Sequence, residues 1–277
     1  MTAIKATLKF FGLWLALLVA TAAGGVLVQT LLHPSAPIGK SDGPFDVTQA
    51  LLLTTAGYAA ALSLYAARLR GGFISRAATV FVLFYVTTSL LSLIETLYFN
   101  RYIHLPMVLL AETAPIGLVQ ALVAAPVAAA LWREASGEAE AISGLWWRIA
   151  LIVPLYIVFY FGAGQFIAWQ GAAVRAYYDQ AAHIDRPQLA GLQVLRGLIW
   201  AGLVWMSARR LTGPAPSRAL ITGLAFAILM VMPLLFPNPF MPWAVRKMHF
   251  IEIATSNLLF GILAAGLLLL GMKPRKA

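Results

Sequence analysis

The chain contains no cysteine and few charged residues. The absence of cysteine excludes disulfide bonds, thiolate nucleophiles and cysteine-ligated metal sites. Charged residues make up 11% of the 277 positions and hydrophobic residues 61%, with a mean hydropathy of +0.83. Soluble domains carry about 25% charged residues, and a soluble core of this length cannot bury so much apolar surface. The composition therefore excludes a water-soluble globule and a disordered chain, and it predicts a membrane protein.

Several sequence motifs that carry chemistry are also missing. The sequence has no His-Glu-x-x-His, Gly-x-Ser-x-Gly, phosphate-loop or dinucleotide-binding pattern. No lysine lies inside an apolar run, which disfavours a retinal-type Schiff base, and the positions of the histidines disfavour bis-histidine haem. The formal charge is +10, but the basic residues are dispersed between apolar runs and form no nucleic-acid-binding patch. We therefore predict no cofactor and no nucleic-acid partner.

The apolar runs that remain are long enough to cross a bilayer. A spanning helix needs about 20 mostly apolar residues, and runs of this length without period-two alternation predict helices rather than barrel strands. The sequence therefore predicts an all-α polytopic membrane bundle, a single transmembrane domain over residues 1–277. The eight predicted spans are 10–32, 47–68, 77–99, 110–132, 149–169, 188–208, 218–237 and 248–272.

The basic residues predict the orientation of this bundle. With a cytoplasmic N-terminus, thirteen lysines and arginines lie on the cytoplasmic side and six on the outer side, with Arg196 inside a span. This bias follows the positive-inside rule, and an even number of spans returns the C-terminus to the same side. The first apolar run exceeds a signal-peptide core of about 7–15 residues, so we expect an uncleaved helix. The excess of arginine over lysine is typical of a GC-rich bacterial genome, so we expect the protein in a bacterial inner membrane. Its expected partners are membrane lipids.

Ionisable side chains inside the predicted spans are few, and all fall in the outer half of the membrane. They are Glu95, Glu112, Arg196 and Glu252, and His249 stands at the mouth of the last span. Ionised groups in a bilayer cost about 2.5–3.5 kcal/mol each on insertion scales, so they usually face the bundle interior and mark a site. We expect these five residues to line an outward-facing polar cavity as substrate-binding or proton-titrating groups.

Helical spacing adds uncharged polar residues to this predicted cavity. His249 and Glu252 share one face of the last helix because they are three positions apart. Other polar side chains fall on the same helix faces or at similar depth, and we expect them to support the site: Ser92, Gln165, Gln193, Ser256 and Asn257.

Three interpretations of the cavity remain open. The first is the binding or translocation of a small or lipid-linked substrate, in which Arg196 neutralises a carboxylate or holds an anion and Glu112 or Glu252 titrates. The second is an intramembrane metal-dependent enzyme with His249 and Glu252 as candidate ligands. The third is a structural or accessory subunit in which the charges serve as contacts between helices.

A basic rim distinguishes the first interpretation, because it would attract a phosphate headgroup or another anion. The residues expected around the mouth are Arg101, Arg246 and Lys247.

Overall fold

The structure, a computed structural model, describes residues 3–33, 42–103, 105, 107–133, 139–178 and 185–270. These residues form α-helices joined by short segments, and they contain no β-strand. The helices are α1 (Ala3–Leu32), α2 (Val47–Ala66), α3 (Phe73–Tyr85), α4 (Leu91–Ile103), α5 (Met107–Leu131), α6 (Leu145–Phe166), α7 (Ala172–Tyr178), α8 (Arg186–Arg210), α9 (Ala215–Val231) and α10 (Trp243–Leu269). A π-helical turn (Val86–Leu90) joins α3 to α4, and 3-10 turns follow α6 (Ala168–Gln170) and α9 (Met232–Leu235).

Eight segments of the described chain are long and apolar enough to cross a membrane. The predicted all-α polytopic membrane bundle is therefore confirmed. We define the outer end of the bundle as the end where α1 finishes and α2 begins, and the inner end as the end where α2 finishes and α3 begins. The assignment of the inner end to the cytoplasm stays a prediction.

The helix limits differ from the predicted span limits by a few residues. The third span, for example, runs over Phe73–Tyr102 rather than 77–99, because a charge at the membrane surface does not interrupt a helix. The start of α2 agrees with the prediction because Asp46 caps it. The Asp46 carboxylate accepts from the Gln49 amide at 2.8 Å, and the Gln49 side chain accepts from the Asp46 amide at 3.1 Å. Residues 271–272 lie outside the described chain.

The helices pack as two groups. In the first, α1 packs against α2 and α5, and α3 packs against α5; in the second, α10 packs against α6, α8 and α9, and α8 packs against α6. The contact between α2 and α9 joins the two groups. The closest crossing lies between α9 and α10, where two glycines meet. A Cβ atom added at Gly223 would lie 2.5 Å from the Leu258 carbonyl oxygen, and one added at Gly261 would lie 2.7 Å from the Gly223 Cα. Such small residues let helix backbones approach closely in membranes.

Aromatic side chains fill the centre of the second group. The ring of Trp200 lies 4.6 Å from that of Phe226 and 6.1 Å from that of Phe260, measured between centroids. Tyr156 contacts both Trp200 and Phe260, at 6.4 and 5.5 Å. Because Trp200 is one turn inward of Arg196 on α8, this cluster forms an apolar floor beneath the candidate site.

Arginines tie the inner ends of the helices together. The carboxylate of Glu140 lies 2.5 Å from Arg70 and 3.1 Å from Arg218. The segments that precede α3 and follow α8 pair through an antiparallel bridge between Leu69 and Leu211. The two inner connections are therefore held side by side, and they place the inner ends of α3 and α8 next to each other.

Arg246 holds the outer end together. Its side chain is 1% exposed, and its guanidinium pairs with the Asp42 carboxylate at 2.8 Å and donates to backbone carbonyls of segment 234–241. Burial alone would raise the pKa of the Asp42 carboxyl, but hydrogen bonds from Arg246 and from the Trp243 amide lower it below its ordinary value. The prediction that Arg246 belongs to an exposed rim is wrong, because its donors are used inside the fold.

Candidate functional site

Arg196 lies inside the bundle on α8 and pairs with Glu95 of α4. Its side chain is 3% exposed, and its Nη1 lies 2.6 Å from Oε1 of Glu95. The same nitrogen donates to Oε1 of Gln193 at 3.2 Å, and the Tyr156 hydroxyl of α6 donates to that oxygen at 3.2 Å. The guanidinium is therefore bound by groups from α4 and α8, and Tyr156 of α6 bonds to one of these acceptors, as expected for a cation that is kept away from lipid.

Two tyrosines of α6 flank the same guanidinium. The central carbon of Arg196 lies 5.9 Å from the Tyr156 ring centroid and 5.6 Å from the Tyr160 ring centroid. These distances are within the range of cation–π attraction. The aromatic rings therefore replace part of the hydration that the cation loses inside the bundle.

His249 and Glu252 form a second pair on α10. Nδ1 of His249 lies 2.7 Å from Oε2 of Glu252, and Nε2 lies 3.3 Å from the hydroxyl of Tyr178, the last residue of α7. Burial raises the pKa of the Tyr178 phenol, so the hydroxyl keeps its proton and can donate to Nε2. The Nδ1–H of His249 then donates to Glu252. The three side chains form a chain of hydrogen bonds along which a proton can move.

The two pairs meet around the same tyrosines. The Tyr156 phenol interacts electrostatically with Glu95, Arg196 and Glu252, and the Tyr178 phenol does so with Glu95 and Glu252. The structure thus brings together four of the five residues predicted to line the site. We call the following set the charged cluster: Glu95, Tyr156, Tyr160, Tyr178, Gln193, Arg196, His249 and Glu252. Its role in substrate binding stays a prediction.

Glu112 is separate from the charged cluster. No charged group of the described chain acts on its carboxyl, and its buried Oε1 has no hydrogen-bond partner among the described residues. Its helix, α5, packs chiefly against α1 and α3. No described contact joins Glu112 to the charged cluster, and its place in the predicted cavity stays a prediction.

The predicted supporting residues do not all belong to the charged cluster. Gln193 belongs to the charged cluster, whereas the side chain of Gln165 is exposed on α6. Ser256 is half-buried and donates to the Ile253 carbonyl of its own helix at 3.4 Å. Ser92 is half-buried on α4, and Asn257 is 8% exposed on α10. Only Gln193 therefore makes a described hydrogen bond to a charged residue of the site.

A cavity of about 290 Å³ lies between α1, α2, α5, the π turn and the 3-10 turn that follows α9. Eight of its thirteen lining residues carry a hydroxyl or amide group among largely apolar wall atoms, and none of its lining side chains is charged. We call it the hydroxyl cavity, and its polar lining residues are Thr21, Thr54, Thr55, Tyr58, Thr88, Ser89, Thr113 and Gln120. It extends from the middle of the bundle toward the outer end, because Pro233 and Phe236 also line it.

The threonine hydroxyls of this cavity donate their protons to helix carbonyls. Thr21, Thr55 and Thr88 each donate to the carbonyl four residues earlier, at 2.7, 2.8 and 2.8 Å. Thr54 donates to a carbonyl at the broken end of α9, at 2.9 Å. The oxygen lone pairs then act as acceptors, as the bond from Gln120 to Thr21 at 2.7 Å illustrates. The cavity therefore suits a ligand that carries O–H or N–H donors.

The π turn connects the hydroxyl cavity to the charged cluster. Thr88 and Ser89 of this turn line the cavity, and Glu95 follows about two helical turns later on α4. A Cβ atom added at Gly117 would overlap Oγ of Ser89 and lie 3.0 Å from its Cβ, so α5 packs closely on the turn at this glycine. π turns are frequent at functional sites. Sequence reasoning missed both the turn and the cavity, because neither has a motif.

The remaining histidines do not join the charged cluster within the described chain. His33 is exposed at the end of α1, and His104 and His183 lie outside the described residues. Among the residues that the structure describes, no group of three or more histidine, aspartate or glutamate side chains is placed to hold a metal ion. The predicted metal ligands His249 and Glu252 thus gain no third ligand from this part of the chain.

Comparisons with known proteins give no relative for this arrangement. No protein-family model matches the chain, and no match is found among curated proteins or solved structures. The chemistry of the site therefore follows from its side chains: the charged cluster can exchange a proton, and the hydroxyl cavity can accept hydrogen bonds from a bound molecule.

Proposed function

We propose that this protein serves the binding or translocation of a small or lipid-linked substrate in the outer half of a bacterial inner membrane. The observation that carries the proposal is the meeting of two charged pairs from α4, α8 and α10 around shared tyrosines of α6 and α7. Charged groups placed inside a membrane bundle usually serve substrate pathways or proton relays.

A packing role alone is a weaker explanation of these charges. An ionised side chain inside a spanning helix costs about 2.5–3.5 kcal/mol on insertion scales. A polar contact between membrane helices contributes about 0.6 kcal/mol on average. The free energy needed to insert Glu95, Arg196 and Glu252 therefore exceeds the stabilisation that such contacts give. This difference favours the binding role over the structural one.

The charge balance supports proton exchange at His249 and Glu252. Arg196 neutralises Glu95, so the cluster keeps one negative charge on Glu252 while His249 is neutral. A proton taken up by the hydrogen-bonded pair of His249 and Glu252 would remove that excess. Binding of a substrate that changes the local electrostatic field would then make the charged cluster take up or release a proton. The hydroxyl cavity would hold the polar part of the substrate, and α4 would link it to the charged cluster.

The proposal is tested by thermal unfolding of the purified protein in lipid nanodiscs. The probes are a short-chain polyprenyl phosphate, glycerol, ethanolamine and inorganic phosphate. We expect at least one probe to raise the Tm by roughly 3 °C or more at saturation. In Glu252→Gln this increase should be lost, because the charged cluster loses a carboxylate and His249 loses its partner.

Glu112→Gln is the matched control for this experiment. It makes the same chemical change in the outer half of the bundle but outside the charged cluster, so its response should equal that of the wild type. The proposal is overturned if no probe stabilises the wild type, or if Glu252→Gln keeps the full increase in Tm.

A further inference from the structure

A cavity of about 210 Å³ lies at the inner end of the bundle, between α3 and α8. Arg209 and Arg210, in the last turn of α8, line it together with Trp205 and with Ser75 of α3. It is far from the charged cluster, because Arg196 is roughly 20 Å away along α8. The proposed substrate site therefore leaves this cavity without a role.

Both arginines are positioned by contacts at the cavity wall. Nε of Arg209 donates to the Glu140 carbonyl oxygen at 2.8 Å, and its guanidinium carbon lies 4.8 Å from the Trp205 ring centroid. Nη1 of Arg210 donates to the Ser75 hydroxyl. Each guanidinium has five N–H donors, so each can offer further donors to an anion. The Ser75 hydroxyl accepts from Arg210 and can direct its own proton to the same anion.

Among the described residues, the charge around this cavity is positive. The Glu140 carboxylate pairs with Arg70 and Arg218, so it does not neutralise the guanidiniums of Arg209 and Arg210. A phosphate group matches this site, because guanidinium forms charge-assisted, often paired hydrogen bonds to phosphate oxygens.

The cavity lies beside the lipid-facing surface of both helices. On α3, Ile74 is 77% exposed and Val82 39% exposed, and both share a helix face with the cavity wall. On α8, Leu198 is 50% exposed and lies two turns from Trp205 on the same face. Tryptophan is favoured at the level of lipid headgroups. An acyl chain can therefore follow the apolar seam between α3 and α8 while its phosphate occupies the cavity.

We propose that the cavity between α3 and α8 binds the phosphate headgroup of an anionic phospholipid, with Arg209 and Arg210 as the phosphate ligands. Basic pockets between membrane helices bind anionic headgroups in this way. The apolar seam distinguishes a phospholipid from free phosphate, which has no acyl chain to place there.

Native mass spectrometry and thermal unfolding of the detergent-purified protein test this proposal. The probes are dioleoyl phosphatidylglycerol, dioleoyl phosphatidylcholine and inorganic phosphate. We expect phosphatidylglycerol to be retained and to raise the Tm by roughly 3 °C, with little effect of the other two probes. In Arg209→Gln/Arg210→Gln the affinity for phosphatidylglycerol should fall roughly 30-fold, because each arginine near a lipid headgroup contributes about a fivefold gain.

The control is Lys5→Gln/Arg175→Gln, which removes the same charge from exposed residues outside the cavity and should leave lipid retention unchanged. If the double variant at the cavity does not fold, Arg209→Gln alone decides, with an expected loss of roughly fivefold. Equal retention of both lipids, or wild-type affinity in the cavity variants, overturns the proposal. An equal Tm shift with inorganic phosphate overturns it as well, because the site would then take a free anion.

Discussion

Arg196 is the residue on which the arrangement of the charged cluster depends. One nitrogen of its guanidinium contacts both Glu95 and Gln193, while its buried Nε has no hydrogen-bond partner among the described residues. The hydrogen bonds of this arginine are therefore only partly satisfied in the described structure. A side chain with an unused donor inside a membrane bundle is costly to keep, which agrees with a role in binding.

Removal of Arg196 is expected to destabilise the protein through the carboxylate that it leaves behind. Loss of one partner of a buried ion pair costs about 3–5 kcal/mol, and Glu95 is 26% exposed, so we expect a value near the lower limit for Arg196→Ala. Adding Glu95→Gln should recover about 0.5–3 kcal/mol, because the two residues interact directly. The measurement is the free energy of unfolding for both single variants and the double variant.

Arg101→Ala serves as the comparison for this cycle. Arg101 is an exposed arginine that bonds to Gln188 at 2.6 Å, and surface substitutions usually change stability by about 0.5 kcal/mol or less. If the loss of stability in the double variant equals the sum of the losses in Arg196→Ala and Glu95→Gln, the two residues are not coupled.

At the level of helices, two devices decide how the elements pack: irregular turns within spans and glycines at crossings. The π turn lies in the middle of the third span, and the 3-10 turn ends the seventh. Both turns line the hydroxyl cavity. The close approach of α9 and α10 has a different cause, which is the absence of side chains at Gly223 and Gly261. The irregular turns thus form part of the cavity wall, and the two glycines allow the close crossing.

A methyl group at the α9–α10 crossing is expected to force the helices apart. In Gly223→Ala the new Cβ would lie 2.5 Å from a backbone oxygen, which cannot move as a side chain can. Overpacking of this kind costs about 1–3 kcal/mol. The matched control is Gly266→Ala on α10, the other helix of this crossing, because its Cβ would meet nothing within 4 Å. The control should be neutral or slightly stabilising. Equal unfolding midpoints for the two variants would contradict the steric argument.

At the level of the whole molecule, charge is sorted along the membrane normal. The charged cluster and Glu112 lie in the outer half, whereas arginines gather at the inner end around Glu140. The positive-inside rule assigns that inner end to the cytoplasm. The proposed substrate site would then open outward, and the proposed lipid site would face the cytoplasmic leaflet.

Cysteine labelling in intact cells can check this orientation, because the natural chain has no cysteine to add background. Ala176→Cys places a thiol on an exposed residue at the outer end, and Ala215→Cys places one on an exposed residue at the inner end. A membrane-impermeant maleimide should label the first variant directly and the second only after the membrane is permeabilised. The opposite pattern would invert the orientation and place the charged cluster near the cytoplasm.

Much of this architecture could be predicted from the sequence, because long uncharged apolar runs have few alternatives in a membrane. The spacing of His249 and Glu252 also predicted their contact, since both lie on one helix. The rotation of separate helices is harder to predict. Lipid is as apolar as a helix interior, so the sequence pattern does not show that Glu112 lies apart from Arg196.

Other parts of the site could not be predicted for different reasons. Tyr178 lies on a short helix in a loop, where no apolar pattern indicates its depth. The hydroxyls of threonines such as Thr54 and Thr88 donate hydrogen bonds to helix carbonyls. Such threonines are therefore tolerated throughout membrane helices, and their presence does not indicate a cavity. The π turn depends on how the helices pack, and its residues Val86–Leu90 carry no turn-forming glycine or proline.

The pairing of Asp42 with Arg246 has a consequence for biosynthesis. The two residues are 204 positions apart, and a ribosome makes the chain from its N-terminus. The carboxylate before α2 is therefore synthesised long before its guanidinium partner has been translated. The pair can form only once α10 is in place, so this contact at the outer end is among the last to form during assembly.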